Sequence, residues 1–251
     1  MTDQIIMRIY CSTFTFLLTI ITAVAFSASC TTGPDLSNLP KEPKVNKAAE
    51  PKEKEISGTY AVNGAGEFGK DPYDGALTVS NQGDTYKFEL QTAKFKRTGV
   101  GIQYGDAVAV TYADIASGKG CGVWLYKIGS QNNLDGRFVA WGSTKYSTEQ
   151  ASQVEGSNFD GKYRLAGQDL DAKQYTGTLD IKKAVNGYKF SWDTGAKLLG
   201  FGMWRGKFAA AAVGGPQCHF ALYEIREAGK LDGFTGSLYS YAFGTETAKK
   251  P

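Results

Sequence analysis

The sequence has little of what metal centres and catalytic triads are built from. Its 251 residues include a single histidine, His219, and only four cysteines. One histidine leaves little room for a histidine-built metal site or for a triad with a choice of base. We therefore expect no metal, no cofactor and no catalytic residue.

An excess of one charge is lacking as well. The 28 basic and 25 acidic residues give a formal net charge of only +3. A charge this small and this mixed does not draw a protein onto phosphate backbones, so we expect no nucleic-acid partner. Glycine is abundant instead, at 31 residues, and tyrosine and phenylalanine number 14 each. This composition favours turns and strands over a helical bundle.

Long apolar runs are confined to the extreme N-terminus. The 21 residues that follow Arg8 carry no charge, contain the stretch FTFLLTIITAVAF and end in the small residues SAS. This order is typical of a secretory signal peptide, which we predict over residues 1–29. A plain signal that is cut after Ala25 or Ser27 is one alternative. An uncleaved anchor is another, because 21 uncharged residues just suffice to span a bilayer.

A cysteine stands directly after the small residues of this segment. The sequence SAS followed by Cys30 resembles the lipobox of bacterial lipoproteins, in which the cysteine is acylated and becomes the mature N-terminus. Ser27 occupies the position where leucine is usual, as in relaxed lipoboxes. The resemblance implies a fatty acid such as palmitate on Cys30. It also implies a lipid-anchored location in a bacterial cell envelope, at the outer membrane or the cell surface.

The segment that follows is predicted to be a disordered tether over residues 30–55. From residue 31 to residue 55 it holds four of the seven prolines, no aromatic residue, five lysines and five acids. Such a segment cannot bury enough apolar surface to fold, and it should act as an extended, hydrated spacer. A spacer beside a lipidated cysteine would hold a domain away from the membrane.

The remainder of the chain aligns with itself, which predicts one repeat over 56–155 and a second over 156–251. The matched positions are mostly glycines and aromatic residues. They include Gly58, Tyr60, Tyr73, Gly75, Tyr86, Phe88, Gly99 and Gly101 in the first repeat, and Gly161, Tyr163, Tyr175, Gly177, Tyr188, Phe190, Gly200 and Gly202 in the second.

Each repeat shows apolar alternation typical of strands, as in YKFEL and VWLYKI, broken by turn signals such as NQGD and SGKG. We predict an all-β protein of about six antiparallel strands per repeat. The strands form two small barrels or sandwiches, or alternatively one shared barrel. The pattern of glycines and aromatics resembles a repeat in bacterial secreted proteins and lipoproteins, some of them labelled as fibronectin-binding. That resemblance implies a β fold and a binding role.

Cys121 and Cys218 occupy equivalent positions in the two repeats. In an exported protein an even pair favours a disulfide, while two separate buried thiols are the alternative. Cys218 is followed by His219, but neighbours in a strand point to opposite faces, which argues against a nucleophile and base. We expect His219 to be structural.

Two further repeated patterns resemble catalytic or binding motifs. The GxG spacings in GVGIQYG and GFGMWRG are followed by strand-like sequence, so bulges or tight bends are expected and not phosphate loops. Asp135 and Asp232 lie in LDG sequences, which we interpret as hairpin turns. Glu149 and Glu246 are also equivalent, and a hydrolase that uses such paired carboxylates is the third functional alternative.

The four tryptophans fall outside the repeat. Trp124, Trp141 and Trp204 have no tryptophan opposite them in the other copy, and neither does Trp192, which we expect in the core. Residues that occur in one copy only are candidates for function. Because tryptophan and arginine are frequent in interaction sites, we expect Trp124, Trp141, Trp204 and Arg205 to bind a partner.

Together these features predict a non-enzymatic, lipid-anchored envelope protein that attaches to the membrane through its lipid and binds a protein partner in the envelope or the host matrix. The alternative is a barrel that carries a small apolar or glycan ligand.

The lipid anchor is tested by metabolic labelling with radioactive palmitate. We expect the label to enter the full-length protein and to be lost when Cys30→Ala removes the acylated thiol. Cys11→Ala, in the uncharged segment upstream, is the control and should keep the label. Equal labelling of the Cys30→Ala variant would refute the lipobox interpretation.

Overall fold

The computed structural model describes residues 53–251, except 115–117 and 240–241. The predicted signal peptide, Cys30 and nearly all of the tether lie outside the described residues. In the part of the chain that is described, no helix is both long enough and apolar enough to span a bilayer.

The all-β prediction is confirmed. Within the described residues, sixteen antiparallel strands form two closed barrels of eight strands each. The strands are β1 Gly58–Ala65, β2 Tyr73–Gln82, β3 Thr85–Thr92, β4 Lys96–Tyr104, β5 Ala107–Asp114, β6 Gly122–Ile128, β7 Leu134–Ala140, β8 Ser147–Glu155, β9 Gly161–Gln168, β10 Gln174–Lys183, β11 Tyr188–Asp193, β12 Lys197–Arg205, β13 Phe208–Val213, β14 His219–Ile225, β15 Leu231–Ser237 and β16 Gly244–Lys249.

The expected number of about six strands per repeat was too low, because each repeat contributes eight. Strands such as β8 (STEQASQVE) and β16 (GTETAK) place small or polar residues on their buried face. They therefore lack the apolar alternation from which strands are counted in a sequence.

Neither barrel is built from one repeat. The first barrel has the order β1-β16-β15-β14-β5-β4-β3-β2, and the second has β10-β11-β12-β13-β6-β7-β8-β9. Each repeat thus supplies five strands to one barrel and three to the other. The pairings of β5 with β14 and of β1 with β16 join the two repeats in the first barrel, and those of β6 with β13 and of β8 with β9 join them in the second.

Side chains fill both interiors. In the first barrel they are Tyr60, Val62, Leu77, Val79, Tyr86, Phe88, Leu90, Val108, Val110, Tyr112, Ala221, Tyr223, Ile225, Leu231 and Ala248, with Ile56. In the second they are Trp124, Tyr126, Leu134, Ala151, Tyr163, Leu165, Leu179, Ile181, Phe190, Trp192, Ala209, Ala211 and Val213, with Phe159. The two clusters are separate, so each barrel has its own core.

The GxG glycines make room for these rings. A Cβ atom at Gly101 would lie 2.6 Å from the Phe88 ring, and one at Gly200 would lie 2.9 Å from the Trp192 ring. Gly105 and Gly206, at the ends of the same motifs, have φ of 59° and 57° and form tight turns. The glycines thus serve close packing and turning, and the pairing of β4 and β12 continues through them without a bulge.

The two barrels pack against each other through their outer faces. Residues of β4, β5 and β14 in the first barrel meet residues of β6, β7, β12 and β13 in the second, among them Ile102, Ala109, Leu222, Leu125 and Ala210. Strands at this contact are apolar on both faces, which explains the continuous runs AVAVTY and FAAAAV.

A disulfide joins the two places where the chain changes barrels. The chain enters the second barrel between β5 and β6 and returns to the first between β13 and β14. Cys121 directly precedes β6 and Cys218 directly precedes β14, and their sulfur atoms are bonded at 2.03 Å with Cα atoms 5.5 Å apart. Of the two alternatives for these cysteines, the structure contains the disulfide.

We expect the loss of this disulfide to lower the free energy of unfolding by about 2–5 kcal/mol, because it closes a long loop in the unfolded chain. Urea unfolding of the Cys121→Ala/Cys218→Ala variant measures the change. Reduction of the native protein should give a midpoint close to that of the variant. Identical stability of the native and substituted proteins would show that strand pairing alone fixes the crossing segments.

Candidate functional site

Each barrel encloses one buried glutamate that is bonded to two tyrosines. Glu149 accepts hydrogen bonds from the hydroxyls of Tyr126 at 2.7 Å and Tyr175 at 3.0 Å. Glu246 accepts hydrogen bonds from Tyr73 at 2.5 Å and from Tyr223. In both barrels the glutamate and one tyrosine come from one repeat and the second tyrosine comes from the other. These groups therefore hold the exchanged strands together.

The environment of the glutamates does not suit a pair of hydrolytic acids. Glu149 and Glu246 are each only 1% exposed, and they lie in different barrels. Burial raises the pKa of both carboxyls above their ordinary value, against the opposing effect of the tyrosine hydrogen bonds. A glycosidase-like site needs two carboxyls on either side of one scissile bond. These two residues are not arranged in that way.

The structure corrects the expectation for Trp124. This residue is 5% exposed and lies inside the second barrel, where its ring stacks on Tyr126 and Trp192 at centroid distances of 5.5 and 6.0 Å. A side chain enclosed in this way cannot contact a partner. Trp192 is 3% exposed and its indole N–H donates to the Tyr126 hydroxyl, so its expected place in the core is confirmed.

Trp141 also has a structural role. It is partly buried against the disulfide, and its ring fills the space that a Cβ atom at Gly118 would need.

Cys218 cannot act as a nucleophile because its sulfur is bonded to Cys121. Burial, with a smaller effect of nearby Arg97, lowers the pKa of His219 to about 4, which keeps this histidine neutral at neutral pH.

The LDG sequences lie at the starts of β7 and β15, not in hairpin turns as we expected. The reason is that a preceding 3-10 turn makes the reversal, at Ser130–Asn132 and Glu227–Gly229. The aspartates instead bind across the contact between the barrels. Asp135 accepts a hydrogen bond from the Tyr104 hydroxyl at 2.6 Å, and Asp232 lies 3.9 Å from the guanidinium of Arg205.

Arg205 is held in place by several contacts within the molecule. Besides Asp232, its guanidinium contacts Glu224 at 3.3 Å, and it lies 4.7 Å from the centre of the Phe234 ring. Removing this side chain would disturb the contact between the barrels. Arg205 therefore supports the neighbouring surface, and it offers little free charge to a partner.

An apolar groove lies next to Arg205, where the end of the second barrel meets the first. Its volume is about 310 Å³. We call it the junction groove, and it is lined by Lys183, Ala184, Val185, Asn186, Gly187, Tyr188, Met203, Trp204, Phe234 and Phe243. Trp204 is 47% exposed, and Val185, in the turn between β10 and β11, is 88% exposed. Of the sequence-predicted binding residues, only Trp204 lines this surface.

Trp204 is fixed in the wall of the groove. Its ring packs on Phe159 at 5.4 Å and on Tyr188 at 6.4 Å, and its indole N–H donates to the carbonyl of Gly206 at 2.8 Å. Phe159 in turn closes the end of the second barrel, where Tyr163 donates to its carbonyl at 2.6 Å. An aromatic side chain held in this way presents its ring at little entropic cost.

The repeat relates the junction groove to a second position between the barrels, which is closed by polar contacts. The repeat places Arg137 where Phe234 stands and Gln103 where Trp204 stands. Arg137 is 5% exposed, donates to the Gln103 carbonyl at 2.6 Å and pairs with the Glu53 carboxylate. We call this position the first junction. Here the β2–β3 turn also contacts the opposite barrel, because the hydroxyl of Thr85 donates a hydrogen bond to the carbonyl of Ser143 at 3.1 Å.

A second set of residues that does not repeat lies at the mouth of the first barrel. Arg97, which corresponds to Leu198, places its guanidinium 4.4 Å from the centre of the Phe95 ring. Its buried Nε has no hydrogen-bond partner among the described residues. His219, which corresponds to Gly122, lies close enough for the positive charge of Arg97 to help lower its pKa. Sequence reasoning missed Arg97, although its mismatch with a leucine in the alignment was a usable signal.

A further concavity is polar. It has a volume of about 630 Å³ on the outer face of β2 and β3, and it is lined by Asp74, Gly75, Ala76, Thr78, Glu89, Gln91, Thr92, Ala93 and Lys96. No aromatic side chain lines it among the described residues. In the same part of the chain, no group of three or more histidine, cysteine, aspartate or glutamate residues is placed to hold a metal ion.

Comparisons with protein families, with curated proteins and with solved structures give no match to this chain.

The buried glutamates generate a prediction on pH. Their pKa values are raised in the folded protein, so the folded state binds their protons more tightly than the unfolded state does. The stability they contribute is complete below the ordinary pKa and is lost as the pH rises through the raised values. His219 acts in the opposite sense, because its pKa is lowered. We therefore compare the native protein with Glu149→Gln/Glu246→Gln.

We expect the native free energy of unfolding, relative to that of the double variant, to fall as the pH rises above about 4.5. Thermal or urea unfolding between pH 4 and pH 8 measures this difference. Glu227→Gln, at an exposed acid, is the control for the removal of a carboxylate outside the barrel interiors. A constant difference between the native protein and the double variant across this range would contradict the raised pKa values.

Proposed function

We propose that this protein is a non-enzymatic, lipid-anchored envelope lipoprotein that binds a protein partner through the junction groove. The observation that carries the proposal is an exposed apolar concavity with a fixed aromatic wall, next to two barrels with filled interiors. Exposed apolar patches with polar surroundings are typical of interaction sites, and Trp204 belongs to the residue types that contribute most to such sites.

The groove is favoured over the barrel interiors because the interiors are occupied. Aromatic rings and the buried glutamates take up the space in which a barrel would carry a ligand. The carrier alternative needs an internal cavity of ligand size, and the large concavity on β2 and β3 lies on an outer face. A surface interaction is therefore the better supported of the two functions.

The last residues of the predicted tether contact the body of the protein. Glu53 pairs with Arg137 at the first junction, and Lys54 lies 2.8 Å from the Asp106 carboxylate. The apolar groove lies at the position that the repeat relates to the first junction, so these contacts do not cover it.

A binding screen of the full-length protein against a panel of purified matrix and envelope proteins, fibronectin among them, tests the proposal. We expect at least one partner, with an affinity that falls about tenfold in Val185→Asp and in Trp204→Ala, because each removes apolar contact at the groove. Biolayer interferometry gives the affinities.

Leu199→Asp is the matched control. This leucine is 71% exposed on β12, the strand that carries Trp204, but it lies towards the other end of the strand and outside the groove. It should keep the native affinity. A partner that binds all variants equally would remove the groove from the site, and a panel without any binder would count against the proposed function.

A further inference from the structure

We propose that the junction groove binds an extended segment of the partner protein, through an apolar side chain that has an acidic residue beside it. The inference rests on the proposed function and names the class of partner. It derives from what occupies the first junction, from the shape and charge of the groove, and from the closure of both barrels.

The protein itself shows what kind of chain the first junction accepts. There the occupant is Glu53–Glu55, a segment outside any strand, in which Lys54 pairs with Asp106 of the first barrel. Glu53 pairs with Arg137, and both Glu53 and Glu55 are near enough to Tyr86 to raise the pKa of its hydroxyl, after the larger effect of burial. A stretch of the protein's own chain with acidic side chains, outside any strand, therefore covers this surface in the first half.

The same surface in the second half forms the junction groove. Phe234 and Tyr188 correspond to Arg137 and Tyr86, and both line the groove. In the second half, the residues before β9 belong to the turn that leads from β8, and Phe159 of that turn lies beneath Trp204. The groove thus lies at the position that a chain segment covers in the first half, and apolar side chains line it where Arg137 pairs with Glu53 in the first junction.

The walls determine the chemistry of the occupant. At about 310 Å³ the groove is at the lower limit of ligand pockets and suits one or two side chains. Val185, Trp204, Phe234 and Phe243 make it apolar, so an apolar or aromatic side chain would enter. Lys183 is the one charged residue among the described residues that line it, and it is exposed. A neighbouring carboxylate on the peptide would pair with this lysine.

The mode of binding follows from the topology. Peptides commonly add a strand to the open edge of a sheet, but both barrels are closed and leave no such edge. Recognition must then depend on a side chain inserted between the barrels and on few backbone hydrogen bonds. A flat lipid surface would contact Val185 at the tip of its turn, but it would not fill the concavity behind it.

Selection of phage-displayed random dodecapeptides on the full-length protein tests the inference. We expect the enriched peptides to share an apolar or aromatic residue next to an acidic one. As synthetic peptides they should lose about tenfold in affinity for Val185→Asp and for Trp204→Ala, and several-fold for Lys183→Glu. Leu199→Asp should bind them as the native protein does. Val185 and Lys183 are exposed, so their substitution should leave the fold intact, as circular dichroism would show.

Four results would overturn the inference. The first two are a selection that enriches no peptide on the native protein relative to the Val185→Asp variant, and enriched peptides that bind all variants equally. Vesicles of phosphatidylcholine and phosphatidylglycerol that bind only when Val185 is intact would identify a lipid surface as the occupant. A panel protein that loses affinity in Val185→Asp but does not compete with the peptides would overturn the inference and leave the proposed function standing. Peptides that bind as expected, in the absence of any binder in the panel, would support the peptide site and count against the proposed function.

Discussion

The rest of the structure depends on the exchange of three strands between the two repeats. A barrel closes only when its last strand pairs with its first, and each repeat lacks the strands to do so alone, because β6–β8 and β14–β16 lie in the barrel of the other repeat. The pairings of β5 with β14 and of β1 with β16 therefore close the first core, and those of β13 with β6 and of β8 with β9 close the second. Without them each repeat would expose two strand edges and an open apolar interior.

The other features that the two repeats share follow from this exchange. The crossing segments must run close together, and Cys121 and Cys218 fix them there. Each buried glutamate binds a tyrosine from its own repeat and one from the other, so its hydrogen bonds form only in the exchanged arrangement. An unpaired buried carboxylate is costly, which makes these contacts specific for the correct pairing as well as stabilising. The repeated residues of the sequence are mainly those that this assembly needs.

The sequence predicted the β class, the duplication and the pairing of the cysteines as one of two alternatives, because turns, glycines and aromatic alternation are local signals. The exchange of strands has no local signal in the sequence, because the amino-acid pattern of a strand is the same whether its partner strand belongs to its own repeat or to the other one. Trp124 was misjudged for a related reason. It lies in GVWLYKI, a strand that is buried on both faces, so the alternation did not show which side of the sheet was the core. The groove was only partly foreseen, because Phe234 and Phe243 reach Trp204 from the other barrel.

The two junctions differ although the repeat relates them, because the same kind of contact is arranged differently in each. In the first, Arg137 stacks on Tyr104, and in the second, Arg205 stacks on Phe234, so the cation and the ring have exchanged strands while the contact remains. That exchange keeps the barrels joined. It also moves the cation out of the position where it bound Glu53 and leaves a phenylalanine there. The first junction is thus closed by the protein's own chain, whereas the second presents an apolar surface and keeps the cation–ring contact that supports it, and exposed apolar surfaces of this kind are typical of interaction sites.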